Sequence, residues 1–396
     1  MAWTRNRPTG LTYLDASQAW PGYTLFSSVR GHHATLLDME GQIVHQWHNP
    51  EGIQHLHVLD NGHLLIQTLP PADAGGAEKI GGSAGALVEL DWDGNVVWEH
   101  RDLMMHHDYV RLDNGNTLYL AWDKLPQELH QQIQGGHSHE EDPEQMWADV
   151  VKEISPEGEL VSEWRSWEHL DFADQVICPL ESYKEWTHAN SLALTPNGDW
   201  VISFRLTSVV VIVDQHTGAI TWQWGQGELS HQHNAHVLDN GNLLIFDNGC
   251  HRPRGPTFSR VVELNPESRE IVWSYHAETV VAFYSFMVSG AQRLSNGNTL
   301  ITEGASGRLF EVTSAHEIVW EYVSPWTLPS GFGPTPVVFR CYRYAADHPF
   351  LVDRDLDPGR YAELNTRIAA GEILREPEYH SAEPDFVPDS PDATAA

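Results

Sequence analysis

Lysine is nearly missing from this chain. Of 396 residues only Lys79, Lys124, Lys152 and Lys184 carry an ammonium, and 23 basic residues against 55 acidic ones leave a formal net charge of −32. Such a surface repels phosphate backbones and anionic headgroups, so no nucleic-acid partner and no membrane partner are expected. Cysteine is scarce too. Cys178, Cys250 and Cys341 are odd in number, far apart and outside any CxxC spacing, so neither a disulfide framework nor a thiolate zinc site is expected. No apolar run is long enough to span a membrane. The stretch MAWTRNRPTGLTYLDASQAW has neither the apolar segment nor the small-residue cleavage site of a signal peptide, and a cytoplasmic location is the expectation.

What the chain has is repetition. A unit reading apolar-Asp-x-x-Gly-x-apolar-apolar-x-x-Trp runs through LDMEGQIVHQW (to Trp47), LDWDGNVVW (to Trp98), ISPEGELVSEW (to Trp164), VDQHTGAITWQW (to Trp224), LNPESREIVW (to Trp273) and VTSAHEIVW (to Trp320). Six copies roughly 50 residues apart match the period of propeller arrays. Between them lies a second unit, an Asn-Gly turn followed by an apolar strand: LDNGHLLIQ, LDNGNTLYLAW, LTPNGDWVISF, LDNGNLLIF and LSNGNTLIT. Asn-Gly between apolar runs signals a hairpin, here expected as a type I′ turn with both central residues at positive φ. Two hairpins per repeat give four strands, and the expected fold is all-β: a six-bladed β-propeller of four-stranded blades over residues 1–350. The repeated Trp is expected to pack between neighbouring blades. YTLFSSV (23–29) and TPVVFRCYRYA (335–345) are candidates to close the ring. A polar, His-rich insert spans 124–146. A short C-terminal helical extension is expected over 351–380 and a disordered tail over 381–396.

The histidines follow the repeat. Just upstream of successive Asn-Gly turns stand His55 and His57, then His106 and His107, then His188 with Asn190, then His231, His233 and His236; the fifth copy has none. Equivalent points in a propeller lie on a ring around its axis, so these side chains are expected to converge. In a regular strand His231 and His233 share one face and His236 takes the other. Arg205, Arg252 and Arg254 lie on or after the following strands, and guanidinium suits multidentate oxyanion binding.

The ordered set WPGYTLF, HHD, HANS…SFR and QH…LDNGNLLIFDNG…R resembles the arylsulfate sulfotransferase family over roughly residues 10–345. The resemblance implies a six-bladed propeller that moves a sulfuryl group from one phenol to another without the nucleotide donor PAPS, through a sulfohistidine. It implies His233 as the catalytic nucleophile, and His106 or His107, His188, Asn190 and Arg205 as sulfate-binding residues; Arg252 joins the candidate substrate-binding set. A neutral imidazole is a competent nucleophile near neutral pH, and flanking donors offset the charge that builds up. No cofactor is expected in this reading, and the partners are a small aromatic sulfate donor and a phenolic acceptor.

Two other readings remain open. The histidines exceed what sulfuryl transfer needs, and His57, His107, His188, His233 and His236 are alternative ligands for a transition metal on the axis, in a lyase, hydrolase or oxygenase acting on a small organic substrate. The fold is also compatible with a non-catalytic binding propeller, since fold does not fix function.

Overall fold

In the computed structural model, residues 8–71, 80–137, 146–328 and 335–375 are described. The chain is mostly β, and its antiparallel sheets repeat in a propeller-like arrangement. Strands Met105–Arg111, Thr117–Lys124, Trp147–Ile154 and Leu160–Arg165 pair in that order. So do Ala189–Leu194, Trp200–Phe204, Val209–Val213 and Ile220–Trp224, and then His233–Val237, Leu243–Asp247, Arg260–Asn265 and Glu270–Tyr275. The next sheet, Gly290–Arg293 through Ile318–Val323, takes Gly10–Leu14 as an added edge strand. The remaining large sheet has seven strands in the order Val338–Tyr344, Tyr23–Ser28, Gly31–Leu37, Ile43–Val58, Leu64–Thr68, Ala86–Leu90, Val96–Arg101. Its 16-residue strand Ile43–Val58 pairs with Gly31–Leu37 through one half and with Leu64–Thr68 through the other. The two candidate closing segments do meet: Tyr23 is opposite Tyr344 and Phe26 opposite Cys341.

One strand from each set faces its neighbours in a closed cycle. Ile43–Val58 touches Met105–Arg111, which touches Ala189–Leu194, then His233–Val237, Gly290–Arg293 and Val338–Tyr344, which returns to Ile43–Val58. Backbone and side-chain bonds stitch this cycle: Leu192 N–H to Asp108 Oδ2 at 3.0 Å, Ala235 N–H to Ser191 Oγ at 3.1 Å, Ala291 N–H to Asn234 Oδ1 at 2.9 Å. The core is a series of apolar layers between neighbouring sheets. Val201 and Val210 meet Leu243 and Ile245 in one layer, and Phe246 and Val261 meet Ile301 and Phe310 in another.

The repeated tryptophans act as outer pins. Each indole N–H donates to a backbone carbonyl in a hairpin of the next repeat: Trp47 to Asp91 (3.1 Å), Trp98 to Pro156 (2.7 Å), Trp164 to Gly218 (2.9 Å), Trp222 to Pro266 (3.0 Å), Trp273 to Ser314 (3.3 Å) and Trp320 to Met39 (3.0 Å). The last bond runs from the end of the array back to its beginning. In the fourth copy the pin is Trp222 rather than Trp224: it faces Ile212, in the register that Trp98, Trp273 and Trp320 take against Glu89, Glu263 and Glu311.

The Asn-Gly turns differ from the expected type. The glycines Gly62, Gly115, Gly198, Gly241 and Gly297 have φ between +79° and +88°, but none of the preceding asparagines does. Each is a three-residue loop, a type I turn followed by a left-handed glycine. The Asn side chain instead caps the loop, as in Asn61 Oδ1 accepting from His63 N at 2.9 Å and Asn240 Oδ1 from Asn242 N at 3.0 Å.

In the insert, Gln127–Gln132 forms a 3-10 turn and Gly135–His137 pairs in parallel with Ile177–Ser182; 138–145 lie outside the described residues. Among the described residues of the segment 351–380 stands the α-helix Ala362–Ala369, whose Ile368 is buried against the array, and Leu374–Arg375 pairs with Trp326–Thr327. Residues 376–396, with the expected tail, lie outside the described residues. No helix among the described residues is long and apolar enough to cross a membrane.

Candidate functional site

The inner strands are not regular where the histidines stand. The register slips between His106 and Tyr109, between Ala189 and Ser191, and between His233 and His236. At or beside these bulges His107, His188 and Asn234 have φ of 47°, 60° and 50°. A non-glycine residue in this region costs about 1–3 kcal/mol and persists where the surroundings over-determine it. A bulge re-aims a side chain, so simple alternation does not say which histidine faces the axis.

His233 is 3 % exposed, and its Nδ1 lies 2.8 Å from Asn248 Oδ1. The Asn248 amide is oriented by two carbonyls, since its Nδ2 donates to Ser285 O (2.8 Å) and Val288 O (3.1 Å). Oδ1 therefore faces His233 as an acceptor, Nδ1 carries the imidazole proton, and Nε2 keeps its lone pair. Burial, then the positive field of Arg205, holds His233 far below the usual imidazole range, so the ring is neutral.

His107 is buried beside His188, with ring centroids 4.6 Å apart, and burial together with the His188 and His106 imidazoles keeps it neutral. Gly82 covers it: a Cβ there would lie 2.1 Å from His107 Cε1. His188 is oriented by Glu185, its Nδ1–H donating to Oε1 at 2.7 Å. His106 points elsewhere. It stacks on Trp122 at 4.2 Å and its Nε2 lies 3.4 Å from Asp149 Oδ1, so it supports His107 from behind through the Nδ1–Nδ1 contact at 2.9 Å.

Asn190 is fully buried and donates from Nδ2 to Gln232 O at 2.8 Å, tying two inner strands together. Its Oδ1 has no partner and, as an acceptor, offers nothing to an oxyanion. Arg205 pairs with Glu181 Oε1 at 2.9 Å. Arg252 is held in its own blade, bonded to Asp247 Oδ2 at 3.0 Å and stacked on Phe258, which is a structural ion pair rather than a place on the axis. Of the anion-binding candidates, Arg205 and His188 act electrostatically on His233 and His107 packs against His188, while His106, Asn190 and Arg252 are engaged in packing.

Arg340 was not visible as a site residue, because its strand is the closing one and carries no Asn-Gly turn. It is 4 % exposed, reaches Asp108 Oδ2 at 2.8 Å and Asn190 O at 3.2 Å, and adds to the field at His233. His55 and His57 sit on the other carboxylate oxygen at 3.4 and 3.5 Å. Burial alone would raise the Asp108 carboxyl; Arg340 and the two imidazoles outweigh it and hold it well below the usual range.

The five alternative metal ligands do not form one ligand group. Among the described residues, the groups close enough to share a cation are His55–His57–Asp108 and Cys178–His231–His251. His107, His188 and His233 belong to neither, and His236 turns back on its own backbone, Nδ1 to Asn234 O at 3.3 Å.

Buried imidazoles and two carboxylate-paired guanidinium groups meet at the inner strands of a propeller-like fold. The chain belongs to the arylsulfotransferase family: the family described as Arylsulfotransferase (ASST) matches residues 58–324. Membership points to sulfotransferase-type activity, with aryl sulfates as donors and phenols as acceptors across the family. Among solved structures, a protein of unknown function from Bacteroides caccae is similar in fold, with a TM-score of 0.52 at 14 % identity, covering 82 % of this chain and 99 % of that one. A streptogramin B lyase (TM-score 0.46, 12 % identity, 80 % and 82 % covered) and the virginiamycin B lyase of Staphylococcus aureus (0.43, 12 %, 80 % and 85 %) are also similar. No match is found among curated proteins.

Proposed function

We propose that this chain transfers a sulfuryl group from an aryl sulfate to a phenol through a sulfohistidine at His233, at the centre of a six-bladed propeller. The blade count follows from dividing the seven-stranded sheet at its long strand Ile43–Val58 and treating Gly10–Leu14 as an extra edge strand. The observation that carries the chemistry is the His233–Asn248 pair, which fixes the proton on Nδ1 and leaves Nε2 as the nucleophile.

The His233 Nε2 lone pair forms an N–S bond as the S–O bond to the donor phenol breaks, and that electron pair leaves on the phenolate oxygen. The sulfated imidazole keeps its Nδ1 proton, hydrogen-bonded to Asn248 Oδ1. An acceptor phenol oxygen then attacks sulfur, the N–S bond breaks and its electron pair returns to Nε2, and the acceptor's proton is passed through water to the released donor phenolate. His107, His188 and Arg205 would hold the sulfuryl oxygens, with Arg340 supplying positive field from below.

With 4-nitrophenyl sulfate as donor and a simple phenol as acceptor, His233→Ala should lose at least about a thousandfold in turnover. Full activity in that variant would end this reading.

A further inference from the structure

One half-buried cluster has a chemistry that sulfuryl transfer does not use. Cys178 and Glu181 stand on the strand Ile177–Ser182, His231 just before His233–Val237, and His251 just after Leu243–Asp247. Cys178, His231 and His251 each offer one ligand atom, all within 4.8 Å of one another. Cys178 Sγ lies 3.6 Å from His251 Nδ1, and Glu181 Oε1 lies 3.0 Å from His231 Nε2 and 3.6 Å from His251 Nδ1. Both histidines are held at left-handed backbone, φ 58° and 54°.

The decisive feature is the tautomer of His231. Its Nδ1 lies 3.0 Å from the Cys250 carbonyl oxygen, which can only accept, so Nδ1 carries the proton. Nε2 then presents a lone pair. That atom is fully buried and no hydrogen bond satisfies it, yet it lies 3.0 Å from a carboxylate oxygen. Nε2 is therefore a buried nitrogen free to bind a cation.

We propose that Cys178, His231 and His251 bind one thiophilic divalent transition ion of the zinc class, with the Glu181 carboxylate alongside. One thiolate and two imidazoles suit such an ion and not magnesium or calcium. Metal–ligand bonds of about 2.0–2.3 Å set tetrahedral edges of about 3.3–3.8 Å, close to the separations already present. A ligating imidazole normally donates its other N–H to a carbonyl or carboxylate, as His231 does to Cys250. The other ligand-like group is a poor rival, because the Arg340 guanidinium already occupies the cation position beside Asp108 and lies 3.4 Å from His55 Nε2.

Binding would release the Cys178 proton, since burial keeps that thiol protonated. Glu181, beside the ion, bonds Arg205 at 2.9 Å, so the ion would sit next to an arginine of the axial site. The site is absent from the short spacing patterns of the sequence because its ligands come from three separate stretches.

The test is titration of reduced, chelator-stripped full-length protein with Co²⁺ as the spectroscopic probe. One equivalent should bind, with a thiolate-to-cobalt charge-transfer band and the intense visible bands of tetrahedral cobalt, and Zn²⁺ should displace it. Cys178→Ser should abolish the charge-transfer band, and His251→Ala should weaken binding at least about tenfold. His233→Ala should bind Co²⁺ as the parent does, which separates this site from the sulfuryl-transfer reading. Should Cys178→Ser fail to fold, Zn²⁺ should still protect Cys178 of the parent protein from alkylation. Absence of saturable Co²⁺ uptake, an unchanged spectrum in folded Cys178→Ser, or no protection of Cys178 would overturn the proposal.

Discussion

Asn248 decides which nitrogen of His233 is free. Its amide is locked by the Ser285 and Val288 carbonyls, so it cannot turn to offer a donor without breaking both bonds. Replacing it with Leu removes the acceptor for Nδ1–H and lets the ring rotate and change tautomer. Turnover of Asn248→Leu should fall on the order of a hundredfold, with a smaller change in donor KM, as steady-state kinetics would show. A loss confined to KM would mean that Asn248 holds substrate instead. At this scale the sequence was partly readable. His107, His188 and His233 stood out because a histidine recurs at an equivalent place in the repeats, and Arg205 through the SFR match of the family resemblance. Asn248, Glu181 and Asp108 act as partners across strands, a relation that no spacing along the chain displays, whereas Glu185 lies three residues before its partner His188. Arg340 comes from the closing strand, where the repeat pattern fails.

The bulged inner strand is the element that turns a repeat into a site. Its left-handed residue rotates the following side chains, and Gly82 leaves room for the result at His107. Gly82→Ala would place a methyl 2.1 Å from the His107 ring, at a glycine whose φ is +92°. The ring must move, and donor KM should rise about tenfold or more while the fold survives, as measured by kinetics alongside circular dichroism. An unchanged KM would remove His107 from the donor site. The outer pins behave differently. Trp320→Phe keeps most of the buried area but leaves the Met39 carbonyl without its 3.0 Å bond. Urea denaturation should show a loss of about 1–2 kcal/mol, with turnover of the remaining folded protein unchanged. Both Trp pins and hairpins were legible from the repeat. The turn type was not, because Asn-Gly serves equally well when only the glycine takes positive φ.

At the scale of the molecule, the axis gathers buried neutral histidines inside a strongly acidic shell. Burial pushes His55 down to about 3 and His231 and His236 down to about 4. Unfolded, each would take up a proton near the ordinary value of about 6.5. Above that value both states are neutral and these groups leave stability unaffected. As pH falls from about 6.5 towards 4 the unfolded chain binds protons that the folded chain refuses, so stability drops, each group contributing on the order of 1 kcal/mol per pH unit. Depression of the Asp108 carboxyl acts in the same direction at lower pH. The urea midpoint should therefore fall steeply between pH 6.5 and 4; a midpoint flat across that window would contradict neutral burial. The ring closure, from Tyr23 against Tyr344 to the Trp320–Met39 bond, was foreshadowed by the two unmatched terminal strands. The convergence of four repeats on one imidazole was only implied by symmetry.

That convergence is tested most directly by intact-protein mass spectrometry after mixing the protein with 4-nitrophenyl sulfate and no acceptor. The account predicts one added sulfuryl group per chain, mapped by fragmentation to His233, lost on addition of phenol and absent from His233→Ala. Release of nitrophenol without any adduct, or an adduct that persists in His233→Ala, would contradict it.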